Sequence, residues 1–279
     1  MSWNPRFGCD GEFVKLLSRR SDIDLTVAAL EIARDATPDL EFGPVLNWID
    51  DRAAEIRREA AAASDEREML QVLVRCVAVE YGITGDPAAW DQPESSYLPQ
   101  VIETGCGLPI TLSLLYSALA GRLGIELTGV AAPMHFLTRF ESVEGPLFLD
   151  AWHDGRIQTQ EQCEAWLSEC SGQPVGLLRP HLQPAHPRCI IIRMLNNLKA
   201  VHVQREAWDA AWIVQHRLTA LQPSSYAERR DLALISLRAN RPGPAMDLLR
   251  DCLKTCSSAE KPVLEDHLAD AARQVTRWN

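Results

Sequence analysis

The sequence predicts an α+β domain followed by an all-helical segment. Three observations support this: amphipathic helical patterns up to about residue 85, a glycine loop followed by a helix and short strands between residues 103 and 150, and a 34-residue periodicity after residue 187. The chain has 279 residues, of which 46% are hydrophobic and 24% charged, so it holds enough apolar material for one large domain or two medium-sized ones.

Composition and charge exclude several classes of function. The net charge of −10 argues against nucleic-acid binding, which normally needs a clustered basic face. The sequence contains no run of eighteen apolar residues and no apolar core of a secretory signal near its N-terminus, so we expect a cytoplasmic protein with no membrane contact. The eight cysteines lack disulfide-scaffold spacing and are expected to be reduced thiols.

Three amphipathic helices are predicted before the glycine loop. Apolar residues recur three and four positions apart in the segments 21–36, 42–63 and 65–83. Ser21 or Asp22 is the expected N-cap of the first helix, and Gly82 ends the third. These segments carry no catalytic motif, so their predicted role is to pack behind a site.

The central region is predicted to contain an ordered loop, a helix and an antiparallel sheet. Residues 83–109 are rich in Gly, Pro, Ser and Asp and are interpreted as the loop. Pro109 suits the first turn of the helix, where its missing N–H costs nothing, and Gly124 ends that helix. The apolar segments 126–140 and 146–152 are each predicted to be strands packed on the helix.

The C-terminal third has the periodicity of helical repeats. Positions 198, 211 and 218 keep their small or apolar class 34 residues later, whereas Arg205 is followed by Ala239. Helix pairs with this period and a small residue at their crossing are typical of tetratricopeptide repeats. Residues 171–187 contain four prolines and two glycines. The predicted organisation is therefore an α+β domain over residues 1–170, a linker over 171–187 and repeats over 188–279.

Two residues of the central region are candidates for catalysis. His135 lies in the segment PMHFL, and Asp150 ends the segment LFLD fifteen residues later. Adjacent antiparallel strands would bring the carboxylate beside the imidazole, where it could orient the ring as the third member of a triad does. The alternatives are a structural histidine and an aspartate that caps the following turn.

The position expected for a thiol nucleophile is occupied by proline. A thiolate is best stabilised at the N-terminus of the packed helix, where free N–H groups also form an oxyanion hole. That helix begins at Pro109, which has no nucleophile. Cys106 lies three residues upstream, an offset of up to about 10 Å in an extended chain. Cys106 is therefore either a displaced nucleophile or a cysteine of the loop or core.

A metal site is not predicted, and no cofactor is expected. His135, Asp150, His153 and Cys106 are residue types that bind metals. Their spacing matches no compact zinc motif, however.

The run SSYLPQVIETGCGLPITLSLLYSALAGRLGIELTGVAAPMHFLTRF, followed by LFLDAWHDGR, resembles the transglutaminase-like family of bacterial SirB-type proteins. The resemblance implies a papain-like α+β core (a helix packed on a small antiparallel sheet) with N-terminal helices, followed by tetratricopeptide-like repeats. It places the superfamily's cysteine, histidine and aspartate at Pro109, His135 and Asp150. Met134 stands where this branch commonly has glycine, and Ala151 where it commonly has proline.

These observations favour a non-catalytic protein, a pseudoenzyme that acts as a protein-interaction or regulatory module with a protein or peptide partner. A retained cleft would be lined by Gly107, Pro109, Met134 and Trp152. The alternative is a cysteine-dependent amidase, protease or acyltransferase that uses Cys106, His135 and Asp150. A third hypothesis is a small-molecule site without turnover.

Overall fold

A computed structural model of the protein describes residues 7–278. The first six residues and Asn279 lie outside the described part. The N-terminal segment in which no secretory signal is predicted therefore lies partly outside it. The chain forms two compact units: an α+β unit over Arg19–Met194, and a helical unit made of the segment up to Ser18 together with the chain from Leu195 onward. These limits differ from the predicted ones, since the N-terminal segment belongs with the helical unit.

The N-terminal segment forms helix α1 (Gly11–Leu17), and a buried ion pair attaches it to the helical unit. Arg217, which is almost fully buried, donates a 2.6 Å hydrogen bond to Asp10. The same guanidinium lies over the rings of Phe7 and Phe13, at 4.2 and 4.7 Å from their centroids. This contact joins residues 207 positions apart, so sequence periodicity could not reveal it.

The helices predicted in the first part of the α+β unit are present. They are α2 (Leu25–Ala33), α3 (Phe42–Ala60) and α4 (Glu66–Val74), the last continuing as a π-helical turn over Arg75–Glu80. The N-cap of α2 is Asp24, whose carboxylate accepts hydrogen bonds from the N–H groups of Thr26 and Val27. The predicted N-caps, Ser21 and Asp22, therefore lie too early in the chain.

The segment predicted to be a loop contains regular structure. Strand β1 (Thr84–Gly85) pairs in parallel with β2 (Cys106–Gly107), and between them lie two 3₁₀ turns and helix α5 (Leu98–Thr104). Helix α5 forms despite the polar surroundings because Leu98 and Val101 are fully buried. Gly105, in the left-handed conformation at φ 72°, ends it.

Helix α6 (Pro109–Leu123) begins and ends at the predicted residues. Pro109 occupies the first turn, and Gly124 caps the C-terminus at φ 81°. Most of its side chains are buried, so α6 is the central helix of the unit.

A four-stranded antiparallel meander completes the unit, in the order β3 (Thr128–Val130), β4 (Leu137–Ser142), β5 (Gly145–Asp150) and β6 (Arg156–Thr159). The segment 126–140 is thus two strands rather than one. Its ladder is interrupted because Pro133 has no N–H to donate and Met134 adopts a left-handed conformation at φ 59°. His135 consequently lies in the loop before β4.

The segment predicted to be a linker is packed into the α+β unit. Helix α7 (Gln160–Ser171) is followed by α8 (Val175–Leu178) and a 3₁₀ turn ending at Leu182. They join sheet residues in one hydrophobic cluster: Val130, Ala132, Leu137, Phe148, Cys163, Leu167, Leu178 and Leu182. The four prolines of 171–187 interrupt the helices but leave enough buried leucine for packing, so the prediction of a linker is wrong.

The helical unit contains the predicted repeat. Helix α9 (Pro187–Gln204) starts in the α+β unit and is followed by α10 (Trp208–Leu221), α11 (Tyr226–Arg238), α12 (Pro242–Leu253) and α13 (Lys261–Trp278). The 34-residue step relates α9 to α11 and α10 to α12. Ala211 and Ala245, which the step equates, are both fully buried, as a small residue at a helix crossing should be.

Candidate functional site

Asp150 lies between two histidines. Its Oδ1 atom accepts a 2.8 Å hydrogen bond from Nε2 of His135, and its Oδ2 atom accepts a 2.7 Å hydrogen bond from Nδ1 of His153. The backbone N–H groups of Trp152 and His153 also donate to Oδ1, at 3.2 and 3.3 Å. Both carboxylate oxygens are therefore engaged, and the three side chains form one polar cluster.

Strand pairing and a tight turn position the three side chains. The register pairs Thr138 of β4 with Leu149 of β5, so the loop just before β4 lies beside the end of β5. Beyond Asp150 the chain enters a turn in which the Asp150 carboxylate accepts the N–H groups of Trp152 and His153, and this turn keeps the His153 ring beside the carboxylate. Asp154 and Gly155, both with positive φ, then lead the chain into β6.

Arg193 of helix α9 supports the loop that carries His135. Its Nη1 atom donates a 3.0 Å hydrogen bond to the carbonyl oxygen of Ala132, and its guanidinium lies 5.7 Å from the centroid of the Phe136 ring. The Ala132 carbonyl group before His135 and the Phe136 ring after it are therefore held by contacts that do not involve the cluster itself.

The carboxyl group of Asp150 remains ionised in spite of its burial. Burial alone would raise its pKa, but the hydrogen bonds from His135 and His153 and their electrostatic interactions with the carboxylate outweigh that effect and hold the pKa below its usual range. The side chain is only 1% exposed. The cluster thus keeps a charged carboxylate inside the protein by surrounding it with donors.

Trp166 of helix α7 forms the apolar wall of the cluster. Its ring meets the His135 and His153 rings edge-on, at centroid distances of 5.0 and 5.8 Å. The side chain of His135 is 11% exposed and that of His153 is 51% exposed. Solvent therefore reaches the cluster from the His153 side.

The structure does not bring Cys106 to this cluster. The Cys106 thiol hydrogen-bonds with the side chain of Ser95 and the backbone of Asp86, and burial, with a smaller contribution from the Asp86 charge, raises its pKa. No hydrogen bond joins Cys106 to His135 within residues 7–278. A raised pKa is the opposite of what an activated nucleophile requires.

The residues expected to line a retained cleft differ in burial and in their neighbours. Gly107 and Pro109 are buried, and a Cβ atom at Gly107 would lie 2.9 Å from Val101 and 3.0 Å from Leu112. Met134 is 78% exposed, whereas Trp152 packs with Trp90 at a centroid distance of 5.9 Å. Pro109 is therefore a helix-starting core residue.

The sequence marks His153 only as one of several metal-binding residue types and does not single out Trp166. The signal for His153 is local, since Asp150 accepts the N–H groups two and three residues onward, as aspartate commonly does in turns. Trp166 gave no such signal, because its contact with the histidines depends on α7 packing on the sheet.

Two groups of side chains in the described part of the chain have the composition of a metal site. In the first, single ligand atoms of His135, Asp150 and His153 lie within 4.8 Å of one another. The second consists of Glu59, Cys76 and Glu80. Arg75 forms ion pairs with both glutamates of that second group, so their negative charges are already paired with a guanidinium.

The helical unit has a groove between α9 and α11, here called the repeat groove. It encloses about 390 Å³. Its lining residues are Lys199, Ala200, Val203, Trp208, Asp231, Leu234, Ile235 and Arg238. The 34-residue step makes α9 and α11 equivalent, so the groove lies between corresponding helices of successive repeats.

The α+β core, the His–Asp pair and the following helical repeats define the class of protein. The family model for the transglutaminase-like superfamily matches residues 44–196, more than half of the chain, and a tetratricopeptide repeat model matches residues 198–277. The chain belongs to the transglutaminase-like superfamily, in a form followed by tetratricopeptide repeats.

Its relatives occur across bacteria. A UPF0162 protein of Xylella fastidiosa is 30% identical over 276 residues, which cover 98% of this chain and 95% of the relative. A UPF0162 protein of Vibrio cholerae is 28% identical over 81% of this chain and 82% of its own. Protein SirB1 of Salmonella typhimurium is 24% identical over 64% of this chain and 66% of its own. No solved structure gives a significant match.

Within residues 7–278, no helix combines the length and the apolar character needed to cross a lipid bilayer.

Proposed function

We propose that this chain is a non-catalytic transglutaminase-like protein that acts as a protein-interaction module and binds a partner peptide in the repeat groove. The observation that carries the first half of this proposal is Pro109 at the start of α6, the position where a thiol would be activated. The nearest thiol, Cys106, hydrogen-bonds with Ser95 and Asp86 and has a raised pKa.

The composition of the repeat groove supports the second half. Tetratricopeptide repeats usually mediate protein–protein interaction, and the groove offers apolar side chains together with two cationic ones. Lys199 is already paired with Asp231 at 3.1 Å and with Glu228 at 3.6 Å. Its charge is therefore largely satisfied within the helical unit.

Arg238 is the cationic side chain of the groove that can pair with a ligand carboxylate. Its guanidinium lies 5.7 Å from the centroid of the Trp208 ring, and no carboxylate of the described residues lies within 4.0 Å of it. A partner would place apolar side chains against Val203, Leu234 and Trp208 and a carboxylate beside Arg238. The proposed ligand is thus a short peptide with apolar residues next to an acidic residue or a free C-terminus.

Selection of displayed random peptides against the full-length chain tests this ligand. Enriched peptides should combine apolar and acidic residues, and their affinity, measured by fluorescence anisotropy, should fall at least tenfold in Arg238→Glu and Val203→Asp. Arg250→Glu is the matched control, because Arg250 is an exposed arginine of α12 outside the groove. Peptides that bind all three variants equally would place the binding surface elsewhere.

A separate assay tests the absence of catalysis. The full-length chain is incubated with glutamine-containing peptides and a primary amine, and ammonia release and amine incorporation are followed. We expect no turnover above that of His135→Ala. Turnover that disappears in both Cys106→Ala and His135→Ala would establish the cysteine-dependent enzyme instead.

A further inference from the structure

We infer that His135, Asp150 and His153 form a binding site for one divalent transition-metal ion, with Zn²⁺ as the best fit. Each side chain contributes one ligand atom, and these three atoms lie within 4.8 Å of one another. The site goes beyond the proposed interaction function, because it lies in the α+β unit and does not involve the repeat groove.

The ligand set has the chemistry that zinc prefers. Two imidazole nitrogens and one carboxylate oxygen are the three protein ligands of one common class of open zinc sites, in which water or a substrate fills the fourth position. The set contains no thiolate and too few oxygens for calcium or magnesium, which take mainly oxygen ligands.

The distances permit an ion with small movements. In a tetrahedral zinc site with bonds of about 2.0–2.1 Å, neighbouring ligand atoms lie about 3.3 Å apart. In this cluster Oδ1 of Asp150 lies 2.8 Å from Nε2 of His135, and Oδ2 of Asp150 lies 2.7 Å from Nδ1 of His153. Shifts of about half an ångström in the two nitrogen–oxygen distances, with relocation of each ring proton to the other ring nitrogen, would replace the two hydrogen bonds by three metal bonds, one from each side chain.

Neighbouring groups already hold the three ligand side chains in place. The N–H groups of Trp152 and His153 fix the carboxylate of Asp150, and Trp166 packs edge-on against both imidazoles. The exposed side of His153 provides a route for an ion and room for a water ligand. A bound cation would also compensate the negative charge of the Asp150 carboxylate, whose side chain is only 1% exposed.

The second group of possible ligands competes poorly. Glu59 and Glu80 share Arg75, so an ion there would meet a guanidinium. Cys76 is buried, so its sulfur is less accessible than the His153 ring. Binding of zinc by cysteine is nevertheless a distinct outcome of the test.

The test uses the full-length chain, stripped with a chelator and titrated with Zn²⁺ in a calorimeter. We expect one ion per chain, with affinity lowered on the order of 100-fold in His153→Ala and in His135→Ala. His181→Ala is the control, since His181 is an exposed histidine that is not one of the three proposed ligands, and it should bind as the unmodified chain does. Circular dichroism checks that each variant is folded.

Cobalt(II) substitution and thermal melting add two independent readouts. The Co²⁺ complex should show ligand-field bands of low coordination number without the thiolate charge-transfer band, and Zn²⁺ should raise the melting temperature of the control but not of His153→Ala. Zinc binding that survives in both cluster variants, a thiolate band, or no binding at all would overturn the assignment. In the last case the cluster is a hydrogen-bonded polar network only.

Discussion

Nε2 of His135 donates a 2.8 Å hydrogen bond to Oδ1 of Asp150, across fifteen residues of sequence. This is the His–Asp contact that orients the base in a thiol or serine triad. Here the carboxylate is shared with a second imidazole, and the helix that would supply the nucleophile begins at Pro109. The pair thus belongs to a different cluster, whose third member is His153.

Replacing Asp150 by asparagine should destabilise the α+β unit. The change removes a buried charge and leaves one amide group to satisfy two ring donors, so the free energy of unfolding in chelator should fall by about 2–3 kcal/mol. Urea denaturation measures the difference. His181→Ala, on the surface, should change it by less than about 0.5 kcal/mol, and an equally small effect of Asp150→Asn would show that the cluster is energetically unimportant.

The substitution Met134→Gly should stabilise the protein. Met134 has φ 59° and is 78% exposed, so it is strained in a conformation that glycine adopts freely, and little burial is lost. The free energy of unfolding should rise by about 0.5 kcal/mol after subtracting the greater chain entropy of glycine. Val143→Gly is the matched control: Val143 is also exposed but lacks positive φ, so this change should be neutral or destabilising.

Alkylation should be slower at Cys106 than at the exposed cysteines. Burial and the Asp86 charge raise its pKa, so less thiolate is present at neutral pH. Mass spectrometry after timed iodoacetamide treatment should show Cys9, Cys170 and Cys189, all exposed, modified first. Preferential modification of Cys106 would reopen the enzyme hypothesis.

His216 should make the helical unit sensitive to acid. Burial, followed by the positive charge of Arg241, lowers its pKa from 6.5 to about 4. The unfolded chain therefore takes up a proton at His216 at a higher pH than the folded chain, and the free energy of unfolding falls as pH drops from 6.5 towards 4. Equilibrium unfolding across this window should show a shallower slope in His216→Gln than in the exposed control His181→Gln.

The elements set by local patterns were predictable. Pro109 and Gly124 bound α6 as expected, because proline suits a first turn and glycine a left-handed C-cap. The 34-residue spacing predicts the repeat, because Ala211 and Ala245 must be small where helices cross. The prolines of segment 171–187 favour a linker, whereas the structure buries Leu178 and Leu182 of this segment in the core.

The sequence by itself determined the α+β class, the repeat and the absence of a cysteine at the start of α6, since each depends on residue types at fixed local spacing. Tertiary structure alone decided that His153 and Trp166 join His135 and Asp150, that Cys106 turns to Ser95 and Asp86, and that Asp10 pairs with Arg217. These contacts depend on strand register, on the face to which α7 packs and on chain segments far apart in sequence, none of which leaves a periodic signal.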